Sequence, residues 1–317
     1  MSSPLVSIII PTYNRANLIL ETLNSIKEQT YTHLECIVVD DGSTDDTEKI
    51  LTEFCLKDKR FQFHHRPNSS PKGANSCRNY GFKLSQGTYI NWFDSDDFMH
   101  QDKLKIQVEA LEKSEFSFSV CQTLVFENSI ENIIGLRHGI IYSDKSFEDY
   151  LSRKIIWMTP SAVWKKEFLL KLDYLFDEEL QAAQEWEFHC RALFVSPTYH
   201  VTEKSLVYIR RHLESISYNN DIEKRELNYL VAREKVFNFL KEKKIKNNYL
   251  IKYFITQYKQ YLKKRDFSTA IKILKKQLFF CEDLTFFYRM KLMISYFFYA
   301  IFNKGEFIFK GKRFKTD

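Results

Sequence analysis

Three short, β-rich apolar runs, at residues 5–10, 34–39 and 89–93, alternate with stretches of helical spacing over residues 5–100. Helical spacing runs through 17–29 (Leu18, Leu23, Ile26), from Thr44 through Ile50, Leu51 and Phe54, and over 73–84, with a further short strand at 61–64. Such a βαβα rhythm predicts an α/β fold with a mostly parallel, twisted sheet and helices on both faces. Two of the runs end in carboxylates: Cys36-Ile37-Val38-Val39 leads into Asp40-Asp41, and Tyr89-Ile90-Asn91-Trp92-Phe93 into Asp94-Ser95-Asp96-Asp97. Carboxylates at the carboxyl ends of parallel strands face the crevice where open α/β sheets bind ligands. Crowded like charges are tolerable there if a divalent cation neutralises them.

Beyond residue 100 the pattern is mixed, with helices at 103–111, 147–155 and 185–194 and strand character at 116–126. From 222 onward it is helical, and 249–263 with 266–280 has the form of a helical hairpin. Charge divides at the same place. Residues 221–317 carry 23 Lys and Arg against 10 Asp and Glu, a net of +13, whereas residues 1–220 are net −7. The expected organisation is a catalytic domain at 1–220 followed by a basic, aromatic-rich helical region at 221–317. The six cysteines are scattered without a C-x-x-C pair, and no signal peptide is visible, so reduced thiols and a cytoplasmic location are expected.

Several residues can carry chemistry, each with a plain structural alternative. No Gly-x-Gly-x-x-Gly or Walker A loop follows the first strand, which runs into Pro11-Thr12-Tyr13-Asn14-Arg15. Tyr13 can stack on a base and Asp41 can accept a base N–H; Asp40-Asp41-Gly42-Ser43 is equally good turn chemistry, with Thr44 a good helix cap. Asp94 and Asp96 are alternate residues at a strand end, so both can reach one Mg²⁺ or Mn²⁺, or simply solvate a helix start. Arg78 can pair with phosphate or with the acidic cluster. In Gln184-Glu185-Trp186-Glu187-Phe188, a glutamate at a helix start can act as general base and Trp186 can stack on a sugar, or the aromatics can be core. Arg210-Arg211-His212, followed by Ser215, is a basic segment able to close over a diphosphate.

Taken together, in order and spacing, these segments resemble the family 2 glycosyltransferases with their GT-A fold. The matching residues are Val6-Ser7-Ile8-Ile9-Ile10-Pro11-Thr12-Tyr13-Asn14-Arg15, Val38-Val39-Asp40-Asp41-Gly42-Ser43-Thr44-Asp45-Asp46-Thr47, Arg78-Asn79, and Gly87-Thr88-Tyr89-Ile90 leading into Asp94-Ser95-Asp96-Asp97. The resemblance implies inverting transfer of a sugar from a nucleoside diphosphate sugar, UDP-linked by expectation, to a glycan or lipid-linked acceptor in cell-surface polysaccharide or lipopolysaccharide synthesis. It places Pro11, Tyr13, Arg15, Asp41, Arg78, Asp94, Ser95, Arg210 and His212 around the donor, with Tyr13 and Asp41 on the base. Asp94 and Asp96 flank the ribose, diphosphate and metal (Mn²⁺ or Mg²⁺), and His212 is a second metal partner. It makes Glu185 the catalytic base, where the family usually has an Asp preceded by an acidic residue, with Glu187 as the alternative. The Q-x-x-R-W signature of processive membrane-spanning synthases is missing, which favours single-sugar addition. A non-catalytic nucleotide- or glycan-binding module is the competing function. A sugar nucleotidyltransferase would be expected to open with a Gly-rich loop in place of Pro11-Thr12-Tyr13.

The stretch 292–303 is uncharged and aromatic but too short to span a bilayer, which needs about 20 residues. Set among basic residues, it fits peripheral docking on an anionic membrane surface at the inner face of the cell membrane, or a structural cap or homo-oligomer contact. No nucleic-acid recognition motif accompanies the basic charge.

Overall fold

The computed structural model of the chain describes residues 3–211 and 222–302, together with Gly305 and Ile308. It divides into two compact units, Met1–Ala232 and Arg233–Asp317. The first unit opens with β1 (Val6–Thr12), α1 (Ile19–Lys27), β2 (Leu34–Asp40), α2 (Thr47–Lys57), β3 (Phe61–His65), α3 (Ala74–Leu84) and β4 (Tyr89–Trp92). It continues with β5 (Phe98–Met99), α4 (Lys103–Glu112), β6 (Phe118–Glu127), β7 (Ser129–Leu136), α5 (Ser146–Leu151) and β8 (Ala162–Lys165). Then follow α6 (Lys166–Leu169), α7 (Gln184–Val195), β9 (His200–Arg211) and α8 (Ile222–Glu242), which crosses into the second unit.

The strands form one nine-stranded sheet in the order β3-β2-β1-β4-β8-β6-β9-β5, with β7 paired to β6. From β3 to β4 every pairing is parallel; beyond β4 parallel and antiparallel pairings mix. All residues of β1, β2 and β4 are buried, because helices cover both sides of this part of the sheet. The alternation of β2 shows it. Cys36 and Val38 pack into a core with Leu23 and Ile26 of α1, Leu51 of α2 and Leu104 of α4, while Ile37 and Val39 point the other way onto Cys77, Tyr80 and Leu84 of α3. α3 comes very close to β1. A Cβ on Gly81 would stand 2.4 Å from the Ile9 side chain, so the contact requires glycine.

Parallel pairing decides where the site lies. In register, Thr12 faces Asp40 and Ile9 faces Trp92, so β1, β2 and β4 end at one edge of the sheet. The chain turns outward from β1 to opposite sides, into β2 and β4, and this opens the crevice at that edge. Both acidic clusters are delivered to it.

The second unit holds the C-terminal part of α8, then α9 (Asn248–Lys263), α10 (Phe267–Ile273) continued by a π-helical turn Leu274–Leu278, and α11 (Phe286–Phe302). Asn247 and Asp266 cap α9 and α10 through their side chains, accepting from Leu250 N and Thr269 N at 2.9 Å each. Among the described residues no helix is long and apolar enough to cross a membrane.

Candidate functional site

The loop after β1 and the loop after β2 are stitched together before any ligand is considered. Asn14, at φ 49°, accepts from Thr44 N at 2.8 Å and donates its own N–H to Ser43 Oγ at 2.8 Å. Arg15 N reaches Thr47 Oγ1 at 2.8 Å, and Ala16 N reaches Asp45 Oδ2 at 3.1 Å. Thr44 is therefore not the helix cap expected from sequence; it is bound across the loop, and α2 starts at Thr47.

The two aspartates of the first cluster separate. Asp40 is buried and accepts from Gly42 N and Ser43 N at 2.9 Å each, and from Ser43 Oγ, closing a turn on which Gly42 takes φ 91°. Asp41 instead meets Arg66, whose Nε lies 2.5 Å from its Oδ1. Arg66, Asp40, Gly42, His65, Pro67 and Asn68 line a pocket beside this pair. Tyr13 stands half exposed at the end of β1, and Pro11 is buried within it.

The second cluster is divided among three arginines. Asp94 Oδ1 takes Arg78 Nη2 at 2.8 Å, and Asp96 Oδ2 lies 3.4 Å from Arg15 Nε. Asp97 is buried and accepts from Arg210 N at 3.0 Å; burial, then Asp96 and Asp94, push its carboxyl well above the usual carboxylate range. Ser95 is buried among them. Arg210, which the sequence reading sent to the diphosphate, is engaged by protein groups here. Its guanidinium donates to Asp96 O at 3.0 Å, Asn128 O at 3.1 Å and Glu21 Oε2 at 2.6 Å, and it lies over the Phe126 ring. With every guanidinium nitrogen donating to protein, it ties β9 to the acidic loop. His212 and Ser215 lie outside the described residues. Among the described residues no three His, Cys, Asp or Glu converge on a metal position. The oxygen donors at hand are Asp94 and Asp96, which fits a hard cation that completes its shell with phosphate oxygens.

A further carboxylate stands at the start of α7. Glu185 Oε2 accepts from both Thr159 N, at 2.5 Å, and Thr159 Oγ1, at 2.8 Å. Burial raises its pKa, the Thr159 bonds oppose the rise, and the charge of Asp94 adds to it while Arg78 subtracts. Glu185, Asp94 and Arg78 thus share one electrostatic neighbourhood. Glu187, the alternative base, is excluded by its surroundings: it is fully buried, with Arg191 Nε at 2.6 Å and Tyr174 OH at 2.7 Å on one oxygen and Arg191 Nη2 at 3.0 Å on the other. Trp186 and Phe188 are also buried, so the aromatics beside Glu185 are core.

Sequence reasoning gave no role to the residues that hold this arrangement. Asn75 Nδ2 on α3 donates to Asp177 O at 2.7 Å and Leu180 O at 2.9 Å. Asn79, one turn along, donates to Phe176 O at 2.8 Å and accepts from Phe176 N at 3.1 Å. The helix carrying Arg78 therefore also fixes the loop that leads to Glu185.

A family model, "Glycosyl transferase family 2", matches residues 7–166. The chain belongs to glycosyltransferase family 2. Among similar proteins of this family is an uncharacterized glycosyltransferase of Rickettsia bellii, 35% identical over 182 residues, covering 57% of this chain and 25% of that protein. The matched part of the chain thus spans about a quarter of that relative's length. Solved structures with a similar GT-A fold include S. aureus TarS 1–349 in complex with UDP-GlcNAc, with TM-score 0.57 and 22% identity, covering 74% of this chain and 66% of that one. The mannosyltransferase PcManGT of Pyrobaculum calidifontis, in complex with GDP-Man and Mn²⁺, aligns with TM-score 0.54 and 20% identity, covering 75% and 65%.

Because Glu187 balances a buried arginine, Glu187→Ala should destabilise the first unit by about 3–5 kcal/mol, the cost of stranding a buried charge. Chemical denaturation of the purified protein measures it, and an unchanged unfolding midpoint would return Glu187 to consideration as a functional carboxylate.

Proposed function

We propose that the chain is an inverting, non-processive glycosyltransferase that moves a sugar from a nucleoside diphosphate sugar to a hydroxyl of a glycan or lipid-linked acceptor, in cell-surface polysaccharide or lipopolysaccharide synthesis. The observation that carries the reading is the Arg78–Asp94 pair at the carboxyl edge of the sheet together with Glu185, a carboxylate from a third segment that lies within electrostatic reach of both. A donor lying along that edge has its base between Tyr13 and Asp41, with Arg66 fixing one oxygen of Asp41. Its ribose and diphosphate extend toward Asp94, Ser95, Arg15 and Arg78. A UDP-sugar is the favoured donor, a reading supported by the UDP-GlcNAc complex of TarS.

In the transfer, Glu185 removes the acceptor hydroxyl proton as that oxygen attacks the anomeric carbon from the face opposite the diphosphate. The bond from the anomeric carbon to the diphosphate oxygen breaks, its electron pair leaves with the diphosphate, and the configuration inverts. One base is sufficient for this single displacement. A raised pKa strengthens Glu185 as a base, while the two Thr159 bonds hold its carboxylate in place and leave Oε1 to meet the acceptor. A divalent cation, Mn²⁺ or Mg²⁺, held by Asp96 and the donor phosphates, would offset the charge of the departing diphosphate. Arg15 and Arg78 bring positive charge to the same region.

Glu185→Gln should retain donor affinity but lose at least ~100-fold in turnover, the lower end of general-base contributions. Near-normal turnover would remove Glu185 from the role. Removing the Thr159 hydroxyl bond removes one interaction that favours the charged carboxylate. Thr159→Val should therefore move the acidic limb of the kcat–pH profile to higher pH, with Thr159→Ser restoring it; superimposable profiles would disprove the tuning. Asp96→Ala should make nucleoside diphosphate affinity, measured by calorimetry with and without Mn²⁺, indifferent to the metal, and a persistent Mn²⁺ effect would place the cation elsewhere.

A further inference from the structure

α11 is apolar on two opposite sides. Leu292, Ser295 and Tyr299, at three- and four-residue spacing, are buried, and Tyr258 of α9 donates to Leu292 O at 2.7 Å on that side. Phe287, Met290, Ile294, Phe297 and Ile301 repeat in the same way on the other side. There Phe287 is 80%, Phe297 56% and Ile301 69% exposed. A helix with two apolar faces is expected to have both covered. The outer face continues into an apolar cleft of about 260 Å³ lined by Ile271, Leu274, Phe279, Tyr296 and Phe297, with Lys275 beside it. Phe297 belongs to both, so face and cleft form one surface.

The charge around this surface selects what covers it. Between Asn247 and Phe302 ten Lys and Arg stand against three Asp and Glu. A second copy of the chain would bring two such basic surfaces together, and like charges oppose that. An anionic bilayer satisfies both properties at once, since its headgroups attract the lysines and its acyl chains accept the aromatics. At 17 residues, α11 is about 26 Å long, short of the ~30 Å hydrocarbon core, so it fits lying in the interface and not crossing it.

We propose that the outer face of α11 and the adjoining cleft dock on anionic phospholipid, with the aromatic side chains entering the acyl layer and one acyl chain occupying the cleft. The proposal does not depend on the transferase reading, because its readout needs neither donor nor acceptor. Full-length protein is floated with vesicles of phosphatidylcholine alone and of phosphatidylcholine mixed with phosphatidylglycerol. Binding is expected only to the mixed vesicles, weakening as salt rises. Phe287→Ser combined with Phe297→Ser should reduce partitioning about tenfold or more through lost apolar burial, with melting temperature and nucleotide binding unchanged. Absence of binding to mixed vesicles would overturn the proposal, as would binding that ignores the double substitution. A concentration-dependent oligomer, seen by light scattering and dissolved by the same substitutions without vesicle binding, would assign the face to a second copy of the chain and equally overturn it.

Discussion

Five carboxylates meet at one edge of a sheet, and the site depends on how each is neutralised. Asp40 is satisfied by backbone N–H groups of its own turn, Asp41 by Arg66, Asp94 by Arg78, Asp96 by Arg15 and Asp97 by the backbone of Arg210. Two unit charges 4 Å apart interact by about 4 kcal/mol at a protein surface, so such a cluster without partners would oppose folding. The partners come from four different places: the loop after β1, the loop after β3, the helix α3 and the end of β9. Neutralising the edge therefore also ties together segments nearly two hundred residues apart in sequence. The same requirement divides the carboxylates into two kinds. Asp40 and Asp97 are buried and spent on backbone donors, while Asp41, Asp94 and Asp96 meet side-chain cations that a phosphate can compete for.

α3 connects the two halves of the site. Through Arg78 it holds Asp94, and through Asn75 and Asn79 it holds the loop at residues 176–180 that leads to Glu185. Its own position is fixed by the close approach at Gly81, where no side chain fits between helix and β1. One rigid helix thus braces both the Asp94 loop and the loop before α7, and the proposed displacement needs such bracing, since reacting groups must be held to within a fraction of an ångström. The left-handed residue Ala183, at φ 59°, turns the chain into α7 one turn before Glu187 and sets Glu185 toward Thr159.

What the sequence made legible follows the range of the interactions. Strands β1, β2 and β4 and the helices between them were readable because apolar runs and helical spacing are local signals, and parallel pairing then follows from topology. The acidic segments after β2 and β4 were readable for the same reason. Arg66, Thr159, Asn75 and Asn79 were not, because each acts on a partner outside its own segment: Arg66 lies 25 residues from Asp41, Thr159 lies 26 from Glu185, and Asn75 lies 102 from Asp177. The protein partners of Arg210 were equally hidden, because Glu21, Asp96 and Asn128 all lie more than eighty residues away in sequence. Glu187 was the avoidable case. Arg191 stands four residues later on the same helix, the spacing of an ion pair, and that signal was present in the sequence.

The uneven charge of the chain gains a physical meaning from α11. Residues 1–220 are net −7, so an anionic surface repels them as a group, and attraction to such a surface has to come from residues 221–317 at net +13. Charge alone would give weak, salt-sensitive association; an exposed aromatic face alone would favour self-association of the helix. Combined on one surface, the charge disfavours pairing of two copies while the aromatics supply the part of the binding energy that salt does not screen. An apolar helix face left exposed costs solubility, and the ten basic residues between Asn247 and Phe302 offset that cost as well. The same lysines that would draw the chain to lipid therefore also keep it from aggregating in its absence.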